Sequence, residues 1–154
     1  MKRILPLVLC LILTPCIFGE TLRSLQAYAD HGDRDAQFKL GLWYYSGYKV
    51  ERDFEKAAAY FALSADQDHL DAYFLLGYMK YYGEGIEQDV PEGLRLFGQA
   101  ALLGHIQAQF DLGFIYYKGL MTEEDREKGL ELISLAAENG YKKAEDFLRS
   151  LPAD

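Results

Sequence analysis

The chain has 154 residues, half of them apolar, with 24 Asp and Glu against 16 Lys and Arg and a net charge of -8. That length allows one packed core, and the apolar share excludes a disordered chain. The negative excess argues against nucleic acid and anionic lipid and leaves a protein or peptide as the easier partner.

Residues 1–19, MKRILPLVLCLILTPCIFG, differ from all that follows: Lys2 and Arg3 precede an apolar run from Ile4 to Leu13, then Pro15 and Gly19. This is the pattern of a secretory signal peptide, with cleavage expected after Gly19. The run is shorter than the roughly 20 residues that span a bilayer. Both cysteines, Cys10 and Cys16, lie inside it. The mature chain is therefore expected in the periplasm or secreted, with no disulfide and no integral membrane span, held by packing alone. The alternative is an adaptor tethered to the membrane by an uncleaved signal.

From residue 20 the pattern is periodic. The segment 20–35, containing TLRSLQAYADHG, reads as a leading half-repeat with Ala29 and Gly32 at its helix end. Three full repeats follow at 36–71, 72–107 and 108–143, opening with AQFKLGLWYYSG, AYFLLGYMKYYG and AQFDLGFIYYKG, and 144–154 supplies a capping helix with Ala144 and Leu148 before Pro152. At about 100° per residue, Ala36, Leu40, Trp43 and Gly47 share one side of a first helix, as do Ala72, Leu76, Met79 and Gly83, and Ala108, Leu112, Ile115 and Gly119. The closing glycine supplies the left-handed turn that stops it.

Each connector, GYKVERD, GEGIEQD or GLMTEED, ends in an aspartate, and Asp53, Asp89 and Asp125 are placed to cap a second helix, with Pro91 suited to a first turn. The second helices carry small residues at Ala57, Gly93 and Gly129, bulky ones at Phe61, Phe97 and Ile133, then the pairs Ser64-Ala65, Ala100-Ala101 and Ala136-Ala137. Small positions let two backbones approach, and large ones fill the space between. Gly104 and Gly140 turn the chain into the next unit; Asp68 stands there in the first, admissible because Asp enters the left-handed region more readily than most residues. The expected fold is all-α, a solenoid of helix-turn-helix repeats with period 36, whose terminal half-units hide the apolar ends.

The A-x-x-x-L-G-x-x-Y-x-x-G phrase at 36–47 and 108–119, the G-x-G-I-x-x-D phrase at 83–89 and the Lys56-Ala57 pair resemble the Sel-like repeat, a relative of the tetratricopeptide repeat, over about residues 22–151. The resemblance implies a right-handed superhelix that serves as an adaptor or scaffold in protein assemblies, with no single activity and no cofactor. Lys80 departs from the family's tyrosine, Lys49 and Met121 from its second turn glycine, and Asp68 from the glycine between units.

Opposite the alanine-leucine face lies a second apolar stripe. Phe38, Phe74 and Phe110, then Leu42, Tyr78 and Phe114, then Tyr45, Tyr81 and Tyr117 sit about 180° away from it. The resemblance places first helices along a concave surface, so these nine residues form the candidate binding groove, with the three last tyrosines offering rigid contact area and a hydroxyl each. The competing reading is packing, with the phenylalanines between neighbouring first helices and Tyr44 and Tyr116 in the core.

Other chemistry is sparse. His31, His69 and His105 sit at turns between units without a converging third ligand, so no metal is expected. The acidic stretch at 123–127 lacks the spacing of a calcium loop and suits a helix start. Ser46 and Lys49 match S-x-x-K, and exported Sel-like proteins have been linked to penicillin binding, which makes a weak β-lactam or cell-wall-processing enzyme the runner-up. Gly47 breaks the helical turn that motif needs, however, and its companion S-D-N and K-T-G elements are missing. No catalytic residue is assigned, and the expected function is that of an exported protein-binding scaffold.

Overall fold

The computed structural model describes residues 21–119 and 126–152; the signal-like segment, Met121 and Asp125 lie outside the described residues. Within them the chain forms eight helices and no strand: α1 Leu22–Asp30, α2 Arg34–Ser46, α3 Phe54–Ala65, α4 Leu70–Tyr82, α5 Val90–Leu102, α6 Ile106–Tyr117, α7 Arg126–Glu138 and α8 Lys142–Ser150. Helices α2 and α3, α4 and α5, and α6 and α7 pair within the three units. The second helix of each unit then packs on the first helix of the next, while α1 and α8 close the two ends. This is a solenoid of helical hairpins with a period of 36 residues.

The local signals act as their chemistry requires. Asp53 accepts from the Lys56 backbone N–H at 2.9 Å and Asp89 from that of Glu92 at 3.1 Å, so both aspartates cap second helices. Asp68 takes the left-handed conformation at φ 58°, and so does Lys49 at φ 60°. First helices start two residues ahead of the alanine that opens each repeated phrase, at Arg34, Leu70 and Ile106.

The core runs as a continuous stripe between the two helix rows. Ala36, Leu40 and Trp43, then Ala72, Leu76 and Met79, then Ala108, Leu112 and Ile115 are all buried, facing Ala57 and Phe61, Phe97 and Ala100, and Ile133 and Ala136. Among the buried polar side chains, Ser64 Oγ donates to the Arg34 carbonyl at 2.8 Å within the first hairpin, and two glutamines join units. Buried Gln37 donates to the Ala29 carbonyl at 3.2 Å and accepts from Gln67 Nε2 at 2.8 Å. Buried Gln109 repeats this with the Ala101 carbonyl at 3.2 Å and Asn139 Nδ2 at 3.3 Å. In the middle unit Tyr73 stands at that position, its hydroxyl 3.4 Å from Asp68 Oδ1.

Two glycines of α5 show what close packing costs. A methyl group on Gly93 would lie 2.6 Å from the Tyr81 backbone nitrogen, whereas one on Gly98 would meet nothing within 4 Å. Gly93→Ala should therefore destabilise by about 1 to 3 kcal/mol, since backbone cannot move aside as a side chain can. Gly98→Ala, in the same helix, should stabilise by about 0.5 to 1 kcal/mol through helix propensity alone. Urea denaturation of the two variants checks both signs.

Candidate functional site

The first helices α2, α4 and α6 carry the second apolar stripe, and the three copies of each position meet different surroundings. Phe38, Phe74 and Phe110 serve the junctions between units. The ring of Phe38 stacks on His69 at 4.3 Å between centroids, Phe74 on His105 at 4.5 Å, and Phe110 meets Tyr141 at 5.3 Å. Each partner is the residue that precedes the next first helix.

His69 and His105 also cap those helices. The Ala72 N–H donates to His69 Nδ1 at 3.3 Å and the Ala108 N–H to His105 Nδ1 at 3.0 Å. The other ring nitrogen faces an aspartate at the start of the preceding first helix, Nε2 of His69 lying 3.6 Å from Asp35 and that of His105 3.3 Å from Asp71. One imidazole thus caps, stacks and pairs at once. Burial pushes the His105 ring below the usual histidine range, against the opposing pull of Asp71. Sequence reasoning placed these histidines at turns and missed the role; their spacing from the phenylalanines was the available signal.

The tyrosines at the far end of each first helix are half-buried and engaged within the chain. The Tyr45 hydroxyl donates to Glu84 Oε1 at 2.8 Å, and its ring meets Phe54 edge-on at 5.5 Å. Burial, reinforced by the hydrogen bond to Glu84, pushes this phenol up to about 12. Tyr81 packs over Phe97 at 5.9 Å, with its backbone against Gly93. Tyr117 accepts from Arg126 Nη2 at 3.0 Å, carries that guanidinium 4.7 Å above its ring, and meets Phe147 at 5.1 Å. Leu42 is half-buried against Phe61 and its neighbours, and Phe114 is covered by Phe147 at 5.6 Å and by Lys118 at 5.2 Å.

The open aromatic surface of this face lies in the middle unit. Tyr78, 36% exposed, and Tyr82, 58% exposed, hold their rings 4.6 Å apart, and Tyr82 abuts Tyr81 at 4.8 Å. Tyr82 was not among the groove residues expected from sequence, because the other units carry Ser46 and Lys118 at its place and the repeat gives no signal there. A second recess, of about 390 Å³, opens on the side of the second helices, lined by Gly98, Leu102, Tyr116, Leu132 and Leu135 among others. The corresponding place beside α1 and α3 is also a recess, of about 540 Å³, lined by Ala29, Gln37, Tyr44, Tyr60 and Leu63 among others; at its edge Gln26 donates to Tyr60 at 2.8 Å and to Asp30 at 2.7 Å.

The S-x-x-K pair singled out in the sequence is not assembled as that motif requires. Ser46 Oγ donates to the Leu42 carbonyl at 2.7 Å, and the Lys49 ammonium lies 4.7 Å over the Trp43 ring, so the S-x-x-K pair is drawn to separate partners. Among the described residues no group of three His, Cys, Asp or Glu is placed to hold a metal ion, and no helix is long and apolar enough to cross a membrane.

The Sel1 repeat model matches residues 34–69, 70–105 and 106–141. A Sel1 repeat protein from Oxalobacter formigenes aligns with a TM-score of 0.76 and 32% identity, covering 84% of this chain and 98% of that one. A protective antigen present in uropathogenic Escherichia coli strains, displaying the SLR fold, aligns with a TM-score of 0.77 and 32% identity over 82% of this chain; the match spans only 27% of the antigen's chain. Cysteine-rich protein B of Helicobacter pylori, at 16% identity and a TM-score of 0.62 over 84% of this chain and 99% of that one, shares the fold. No curated protein sequence matches the chain.

The buried imidazole yields a pH dependence. Because the folded His105 holds its proton less well than the unfolded side chain, its contribution is complete above the ordinary value near pH 6.5. It is lost as pH falls through the lower folded value. Protonation also removes the Nδ1 acceptor that caps α6. Stability measured by denaturant melts should fall as pH drops below about 6.5, and less steeply in His105→Asn, which keeps a capping acceptor but cannot titrate.

Proposed function

This chain belongs to the Sel1 repeat family, and on that premise we propose that it is an exported binding protein that scaffolds or modulates another protein through the face of its first helices. Proteins of this family generally act as protein-interaction scaffolds and are typically not enzymes. The observation that carries the proposal is the open pair Tyr78 and Tyr82. Tyr45 and Tyr117 spend ring and hydroxyl on contacts inside the chain, and Tyr81 packs its ring on Phe97, whereas these two present a large rigid aromatic area to solvent. Exposed tyrosine pairs bind partners at low entropic cost, because each ring has few rotatable bonds and combines an apolar body with a polar tip.

Export is part of the proposal and rests on Lys2, Arg3 and the apolar run from Ile4 to Leu13. Periplasmic or secreted protein should have the mass of a chain beginning at Glu20, and a mass that retains Met1 would favour the tethered alternative.

The binding face is tested by immobilising the mature protein and capturing partners from the envelope fraction of its own cell. Tyr78→Ser combined with Tyr82→Ser should leave helical circular dichroism and the melting temperature nearly unchanged, as exposed substitutions usually do. Capture should fall by at least about a hundredfold in affinity, in line with about 2 kcal/mol for each truncated aromatic anchor. Undiminished capture by the folded double variant would remove this face from the proposal.

A further inference from the structure

Residue 111 breaks the repeat in a place where the break has a consequence. Its counterparts one unit either side are Leu75 and Phe147, apolar side chains that seat each first helix against the one before. Leu75 packs against the cluster around Phe61 and Leu76, and Phe147 lies on Phe114 and Tyr117. The same register sets Asp111, on α6, one unit before Phe147, whose ring lies on Phe114 and Tyr117, the counterparts of Tyr78 and Tyr81, and the charge of Asp111 acts on Tyr82. Burial pushes the Asp111 carboxyl above its ordinary range, against the opposing pull of the Gln107 side chain and of Lys143 on α8.

The units also differ in where they find cations. In the third unit the chain lays Lys118 over Phe114 at 5.2 Å and Arg126 over Tyr117 at 4.7 Å. In the second unit the corresponding positions are Tyr82 and Val90. Among the described residues no Lys or Arg is stacked on Tyr78, Tyr81 or Tyr82. The aromatic pair of the middle unit therefore has a carboxylate of α6 nearby and carries no stacked cation.

We propose that Tyr78, Tyr82 and Asp111 form a receptor for an arginine side chain of the partner protein. The proposal rests on the reading of this face as the binding surface and adds the chemistry of what it grips. A guanidinium is flat enough to lie on one of the tyrosine rings while its N–H edge donates to the carboxylate, a combination an ammonium matches less well. The net charge of -8 favours the approach of a basic segment from a distance.

The test uses two blocked pentapeptides, one with a central arginine between glycines and the other with citrulline, which has the same shape but no charge. Binding is followed by NMR shifts of the Tyr78 and Tyr82 ring resonances in the mature protein. The arginine peptide should give saturable shifts at both rings, with the citrulline peptide at least about fivefold weaker. Asp111→Asn should weaken the arginine peptide by a similar factor. Asp111→Leu restores the side chain found at residue 75, so it should raise the melting temperature while abolishing binding.

Equal binding of the two peptides, or undiminished binding by Asp111→Asn and Asp111→Leu, would overturn the proposal. Partner capture separates the two readings. Capture insensitive to Tyr78→Ser with Tyr82→Ser sinks the binding face itself, whereas capture lost with the tyrosines but kept in both Asp111 variants sinks only the arginine receptor.

Discussion

At Gly93 and Gly129 the backbone of the preceding helix occupies the room a side chain would need, Tyr81 facing the first and Tyr117 the second. Ala57 takes the same place in the first unit with no exposed surface. The two helices of a unit can therefore approach until the bulky residues Phe61, Phe97 and Ile133 fill what is left. Everything further out inherits this contact. It sets the rotation of α2, α4 and α6 about their own axes, and hence which residues point away from the second helices.

That rotation explains the uneven fate of the aromatic stripe. Tyr81 is held against α5 through Phe97, while Tyr78 and Tyr82 flank it on the side turned from the hairpin. The phenylalanine at the start of each first helix is drawn to the next unit instead, where a histidine or tyrosine waits at the turn. Positions that repeat in sequence thus divide into those set by packing and those free to differ. Among the free ones are residue 82 and residue 111, an aspartate where Leu75 and Phe147 stand one period either side.

The hairpins, their caps and the core face were legible because each depends on contacts within one unit or on its period: Asp53 and Asp89 cap, Asp68 turns left-handed, and Leu40, Leu76 and Leu112 are buried. The sequence was silent where a contact links different positions in different units. The bond from Tyr45 to Glu84 has no counterpart to learn from, since Ser46-Gly47-Tyr48 and Lys118-Gly119-Leu120 surround the corresponding glycines with other chemistry. The buried Gln37 and Gln109 read as polar surface in a linear string, and only the carbonyls of Ala29 and Ala101 brought over from the preceding unit explain their burial. The histidines were visible as turn residues, but capping and stacking by one ring needs the superposition of two units.

The junction of phenylalanine and turn residue has a bearing on how such a chain can be lengthened. Every unit carries one half of the junction on its outgoing side, Phe38, Phe74 or Phe110, and receives the other half from its successor. A tandem duplication of one full period would bring both halves with it and rebuild the seam without a single compensating substitution. An added stretch of another length inside a helix would rotate the phenylalanine off its mate and strand the cap, so heredity can edit this molecule cheaply only in whole units.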